Sequence, residues 1–144
     1  MKTIKKIIYT AGVIIDNSNI SSLVSIQYEN VYCHHMTIQY GNIEQLPNNL
    51  GQEINFISKT LVYDNNAMAL IGSTNNDKIN KNMSLINQIP HIIIYTATGI
   101  KPVYSNNLIK SKSSIRSSME LIIPMKIGAF VLYIDNTTDW IFNN

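Results

Sequence analysis

The sequence predicts one globular domain made mostly of β-strands, with short helices between them. Three observations carry this. A chain of 144 residues has room for a single domain and an adequate core. A composition of 45% hydrophobic against 14% charged residues is that of a packed, charge-poor globule. The apolar residues fall mainly in short β-branched or alternating runs, punctuated by Asn, Gly and Pro.

The first run, Ile7–Ile15, is β-branched and apolar and reads as a buried strand. Asp16-Asn17-Ser18 supplies turn and N-cap chemistry. Ile20, Leu23, Val24 and Gln27 then fit one helical stripe, so Asn19–Tyr28 reads as a short amphipathic helix. Val31–Tyr40 alternates as a strand, and residues 41–50 form a loop marked by Gly41, Pro47 and Asn48-Asn49. Gln52–Val62 is the next strand. Tyr63-Asp64-Asn65-Asn66 reads as a hairpin turn, since Asn tolerates positive φ, and Ala67–Gly72 is its partner strand.

Between Ser73 and Gln88, Ile79, Met83 and Ile86 sit at helical spacing, so a short helix is expected there, stopped by Pro90. His91–Ala97 is a strand and Thr98-Gly99 a turn. Asn106 caps a short helical piece at Asn107–Lys110, and Ser111–Ser118 is a loop. Met119–Ile123 and Lys126–Ile134 are two strands parted by Pro124, and the chain runs on to Trp140-Ile141-Phe142.

Several functions are disfavoured by composition. A net charge of +2, with one basic cluster at Lys2, Lys5 and Lys6, gives no concentrated basic face for non-specific nucleic-acid binding. A single cysteine, Cys33, excludes an intrachain disulfide. No apolar run is long enough to cross a membrane as a helix. The basic start lacks a long apolar segment and a small-residue cleavage site, so no signal peptide is expected and the cytoplasm is the simplest compartment. Three histidines, one cysteine and scattered carboxylates show no metal-ligand spacing, so no metal or other cofactor is expected.

Chemistry concentrates in two strands. In Val31–Tyr40, side chains two apart share a face, which places His35 with Thr37, Cys33 and Gln39, and turns His34, Met36 and Ile38 the other way. An imidazole that moves a proton and a hydroxyl that donates to a phosphate oxygen make a small anion cradle. A second imidazole, His91, again opens a strand after a turn signal, sharing its face with Ile93 and Tyr95. Taken singly, a histidine in an apolar strand is usually a hydrogen-bonded core residue, and that is the expectation for His34.

The ordered set of His34-His35-Met36-Thr37-Ile38 with Gly41, Asn49-Leu50-Gly51, Pro90-His91-Ile92, Gly99–Asn106 and Pro124–Gly128 resembles the two-histidine (2H) phosphoesterases. The similarity is to their branch containing the cyclic phosphodiesterase domain of fungal tRNA ligases and, beyond it, the 2′,5′-RNA ligase-like proteins. It spans almost the whole chain.

The resemblance implies a compact α+β fold, two antiparallel β lobes with short helices outside and a groove between. His35 and His91 would face each other across it as acid and base, and Thr37 would hold a phosphate oxygen, without metal. The implied substrate is an RNA 3′ end carrying a 2′,3′-cyclic phosphate, or a small cyclic or 2′,5′-linked nucleotide. The second hydroxyl of the pattern maps onto Ile93, which cannot donate. Loss of one such donor costs ~10²–10³ in rate, so the alternative is a protein that binds and sequesters the nucleotide. Tyr95, Thr96 or a backbone N–H are the candidate substitutes. Tyr40, Tyr95 and Tyr104 are candidates for stacking on a base and Lys101 for facing a phosphate, although packing and plain solvent exposure are the commoner explanations of such residues. Trp140 is expected to cover the edge of the core.

Overall fold

The computed structural model describes residues 2–16, 20, 30–31 and 34–143. In chain order the elements are β1 (Ile4–Ile14), β2 (Asn30–Val31), β3 (His35–Tyr40), β4 (Glu53–Tyr63), β5 (Ala67–Thr74), α1 (Asp77–Leu85), β6 (His91–Thr96), α2 (Tyr104–Lys110), β7 (Ile115–Tyr133) and β8 (Thr138–Ile141). The helix expected at Asn19–Tyr28 lies outside the described residues apart from Ile20, which is helical and buried.

All these strands join one antiparallel sheet in the order β2-β6-β5-β4-β7-β1-β3, with β8 added to β7. The sheet curls until β3 lies alongside β6, giving a nearly closed, barrel-like wall with two short helices among the described residues. Its concave face holds the main core, with Met36, Phe56, Leu70, Ile92, Ile123, Met125 and Ile127 fully or almost fully buried. Each such side chain contributes about 1.5–3 kcal/mol by leaving water. α1 adds Ile79 and Met83 to this core. α2 packs Leu108 and Ile109 on the opposite face of β4 and β5, against Val62, Ala67 and Ala69.

Five local expectations are corrected. Pro124 does not divide two strands, because β7 runs unbroken for 19 residues. Its neighbour across the ladder, Asn55, has its backbone N–H and C=O bonded to Asn75, on the side away from Pro124. The Pro124 carbonyl accepts from Ile15 N–H where β1 runs out. The missing N–H therefore falls at the end of a ladder, where it removes only the last reciprocal bond of the β1–β7 pairing.

The β4–β5 turn does not use positive φ at its asparagines. Asp64 Oδ1 instead accepts from the N–H groups of Asn66 (2.7 Å) and Ala67 (3.0 Å). α1 ends before Pro90 is reached. Asn87 takes φ +56° and donates to Ser84 O, while Gln88 N–H bonds Met83 O, closing a Schellman motif with asparagine in the left-handed position. α2 starts at Tyr104, three residues before the expected helix. Val103, not Asn106, is its N-cap and makes no side-chain cap bond. The entry is built instead by i→i−3 backbone bonds from Tyr104 to Lys101 O and from Ser105 to Pro102 O. Finally, the Ser/Lys/Arg loop is shorter than expected, since β7 already begins at Ile115.

Candidate active site

His35 is the first residue of β3, opposite Val13 of β1, and Thr37 lies opposite Ala11 on the same face. Beyond that pair the register slips: Gln39 pairs with Thr10 and Tyr40 with Tyr9, leaving Ile38 as the extra residue of a bulge. The bulge removes Gln39 from the His35–Thr37 face and brings Tyr40 onto it, against the simple alternation. Tyr9 then sits between them, stacked on His35 (centroids 5.3 Å apart) and on Tyr40 (5.9 Å).

A cross-strand row of aromatic rings extends from there. Tyr9 pairs with Phe130 of β7, which pairs with Trp140 of β8. Trp140 lies 5.4 Å edge-on from Tyr9 and 5.6 Å from His35, so it covers this site as well as the sheet edge. His34 does not point into the core. It occupies a bend before the strand, where alternation no longer governs it, and is exposed. Its Nδ1 lies 2.7 Å from Nδ1 of His35, and its ring is 5.8 Å from Trp140.

His91 opens β6 opposite Ile71 and is 9% exposed. Ile92 enters the main core, so His91 and Ile93 face the other way, toward α2. The Nδ1–H of His91 donates to Ile89 O at 2.7 Å. A carbonyl only accepts, so this bond places the proton on Nδ1 and leaves Nε2 as the acceptor in the neutral ring. Ser105 Oγ, on the first turn of α2 and 2% exposed, donates to that Nε2 at 3.0 Å.

The two imidazoles are electrostatically linked. Burial lowers His35 to about 4, and nearby His34 and then His91 push in the same direction. Burial also lowers His91, opposed by the Ile89 carbonyl, which favours the charged ring. At neutral pH both rings are therefore uncharged. Each can accept a proton, and an acid–base pair forms once one of them is charged.

A model of the fungal tRNA ligase phosphodiesterase domain family matches residues 24–131. The chain belongs to this family. It is thereby a 2H phosphoesterase by descent, and the matched span contains His34, His35, Thr37, His91, Ile93 and Ser105. Tyr9 and Trp140, which contact His35, lie outside it. No curated protein and no solved structure matches the chain.

The other residues expected at a phosphodiesterase site are dispersed. Tyr40 is 74% exposed and stacks on Tyr9, which separates it from His35. Tyr95 is buried in the main core, away from any open surface. Thr96 is buried and its hydroxyl donates to Ile100 O at 2.9 Å, so it does not replace the hydroxyl missing at Ile93. Lys101 is exposed in the turn before α2. Tyr104 is tied to the β4–β5 turn, its hydroxyl donating to Asp64 Oδ2 (2.5 Å) and accepting from Asn66 Nδ2 (3.2 Å).

A cavity of about 650 Å³ opens next to His91, lined by Asn80, Ser84, Gln88, Pro90 and Lys110 among others, but by neither His35 nor His91. Among the described residues no group of three or more His, Cys, Asp or Glu is placed to hold a metal ion. No helix there is long and apolar enough to cross a membrane.

Tyr9, His34, Ser105 and Trp140 are the neighbours that sequence reasoning missed. The one signal for the aromatic row was composition, because the registers that align Tyr40, Tyr9, Phe130 and Trp140 depend on two bulges and a hairpin.

Proposed function

We propose that the protein is a metal-independent 2H-type phosphodiesterase that hydrolyses a 2′,3′-cyclic phosphate at an RNA end, or a small cyclic or 2′,5′-linked nucleotide. The observation that carries this reading is the family match across both histidine segments, joined to the placement of β3 alongside β6, the strands that His35 and His91 open. The groove is the seam where β3 comes alongside β6. His35 and His91 exchange protons with the attacking water and the leaving oxygen, Thr37 holds a non-bridging oxygen, and Tyr40 stacks on the base.

A second reading is favoured by one specific feature. Ile93 stands where the family pattern places a hydroxyl, and the nearest hydroxyl to His91 is the buried Ser105. A site with this defect binds the nucleotide and turns it over slowly or not at all. Incubation with 2′,3′-cyclic mononucleotides in EDTA separates the two. The enzyme reading expects product, and a loss of at least ~10²-fold in His35→Ala and in His91→Ala. The sequestering reading expects stoichiometric binding with intact ligand recovered after denaturation, and Ile93→Thr then raises turnover by ~10². Product formation that survives both alanine substitutions would remove the histidine mechanism.

A further inference from the structure

We infer that His34 is the proton partner of His35: the two imidazoles share one proton between their Nδ1 atoms, and His34 passes to solvent the proton that His35 takes up at Nε2. The second half of this statement rests on the phosphodiesterase reading; the first half does not.

At an Nδ1···Nδ1 separation of 2.7 Å, one nitrogen must carry a proton and the other a lone pair. The two neutral rings are therefore held in opposite tautomers. When His35 donates through Nδ1, its Nε2 is a free lone pair and His34 carries its own proton on Nε2, at the exposed side of the pair. The geometry is fixed from outside the pair. Tyr9 stacks on His35, and Trp140 packs against both rings at 5.6 and 5.8 Å.

The sequential step balances. A water gives its proton to His35 Nε2 as the new O–P bond forms and the bond from phosphorus to the leaving oxygen breaks, that oxygen taking up a proton from a charged His91. The Nδ1 proton of His35 moves to His34 Nδ1. His35 remains neutral in the opposite tautomer, and the positive charge sits on His34, which then releases its Nε2 proton to water. The advantage is where the charge resides. A proton held on His35 is opposed by burial and by the neighbouring His34 and His91. A charge on His34 is in contact with solvent. The other titratable groups facing the pair are Tyr9 and Tyr40, with Lys126 one strand further along the Val13 row. Tyr9 is raised by burial and by Tyr40 and stays neutral through this range. Tyr9 therefore does not compete for the shared proton.

The test begins without substrate. Imidazole ¹⁵N spectra of the full chain are followed across the acid-to-neutral range in the native protein and in His34→Gln, whose amide fills the space and can accept a hydrogen bond but cannot take the proton. The expected result is one Nδ1–H ring and one Nε2–H ring in the native protein, and a His35 Nδ1 signal that changes together with that of His34. That response disappears in His34→Gln, and the His35 midpoint rises above about 4. Independent titration of the two rings overturns the shared proton.

Turnover of a 2′,3′-cyclic mononucleotide tests the second half. His34→Gln should lower kcat by ~10-fold or more, toward the loss expected for one acid–base group. KM should be little changed, and added imidazole should restore part of kcat in His34→Ala. Full kcat in His34→Gln, together with loss of activity in His35→Ala, overturns the relay and leaves the phosphodiesterase reading standing. If the native protein gives no product, the relay is overturned along with that reading, and the spectra alone decide the shared proton.

Discussion

Acid should unfold this protein partly through His35. In the folded chain its proton affinity is lowered from 6.5 to about 4, first by burial and then by His34 and His91. Such a group stabilises the fold while it is deprotonated. In the unfolded chain it binds a proton near pH 6.5, so below that pH the unfolded state holds more protons and stability falls with pH. The contribution is complete above about pH 7 and is lost progressively as pH approaches 4. At about 1.4 kcal/mol for each tenfold change in proton affinity, the loss is about 3 kcal/mol. This is a large share of a typical stability of about 5–15 kcal/mol. His91, lowered in the same direction by burial, steepens the decline. Urea unfolding followed by fluorescence of Trp140, the single tryptophan and a neighbour of both His34 and His35, measures it. His35→Gln should be less stable than the native protein at pH 7.5 but should lose about 3 kcal/mol less between pH 7 and pH 4. Equal slopes for the two proteins would refute the assignment of the loss to His35.

The Ser105–His91 contact and the Tyr104 anchor give two further expectations. Ser105→Ala leaves the buried Nε2 of His91 without its donor, which costs roughly 1–3 kcal/mol in urea unfolding. A His91→Leu change in that background should recover part of the loss, since no unpaired nitrogen remains. Tyr104→Phe removes the bonds to Asp64 and Asn66 and should cost about 1–2 kcal/mol. It should leave nucleotide affinity unchanged in equilibrium binding, because the hydroxyl is occupied by the β4–β5 turn.

Much of the architecture was legible because it follows from local patterns. Strands were located by β-branched and alternating runs, and the stripe at Ile79 and Met83 placed α1. The failures share one cause: tertiary pairing decided what local rules left open. Pro124 reads as a strand breaker, yet it sits at the last pair of the β1 ladder, where its carbonyl still accepts from Ile15 N–H. Pro90 reads as the stop for α1, yet Asn87 closes that helix three residues earlier. The first motif was read from a two-residue period that holds for His35 and Thr37 and fails at the Ile38 bulge, which exchanges Gln39 for Tyr40. His34 was assigned to the core by the same period, but it precedes the strand and turns onto His35. A substitute for the hydroxyl missing at Ile93 was sought on the same strand at Tyr95 and Thr96, both of which are buried, and no partner for His91 was sought elsewhere. The hydroxyl that does meet His91 is that of Ser105 on α2, fourteen residues downstream.

The uncharged state of the free site has a consequence for binding that holds for both an enzyme and a sequestering protein. His35 and His91 are each held below the usual histidine range, and each feels burial more than any neighbour. A bound phosphodiester brings a negative charge to this seam, and an opposite charge within ~4–6 Å favours the protonated ring. One imidazole should therefore take up a proton as the anion binds. His91 is the better placed to keep it, because the Ile89 carbonyl already accepts its Nδ1–H, and Ser105 Oγ can turn from donor to acceptor at Nε2. Affinity for a cyclic nucleotide should then tighten as pH falls from 8 to 6, approaching tenfold per pH unit where one full proton is taken up. Titration calorimetry in two buffers of different ionisation enthalpy reads that uptake directly. Uptake near zero across the range, with binding intact, would place the phosphate away from both histidines.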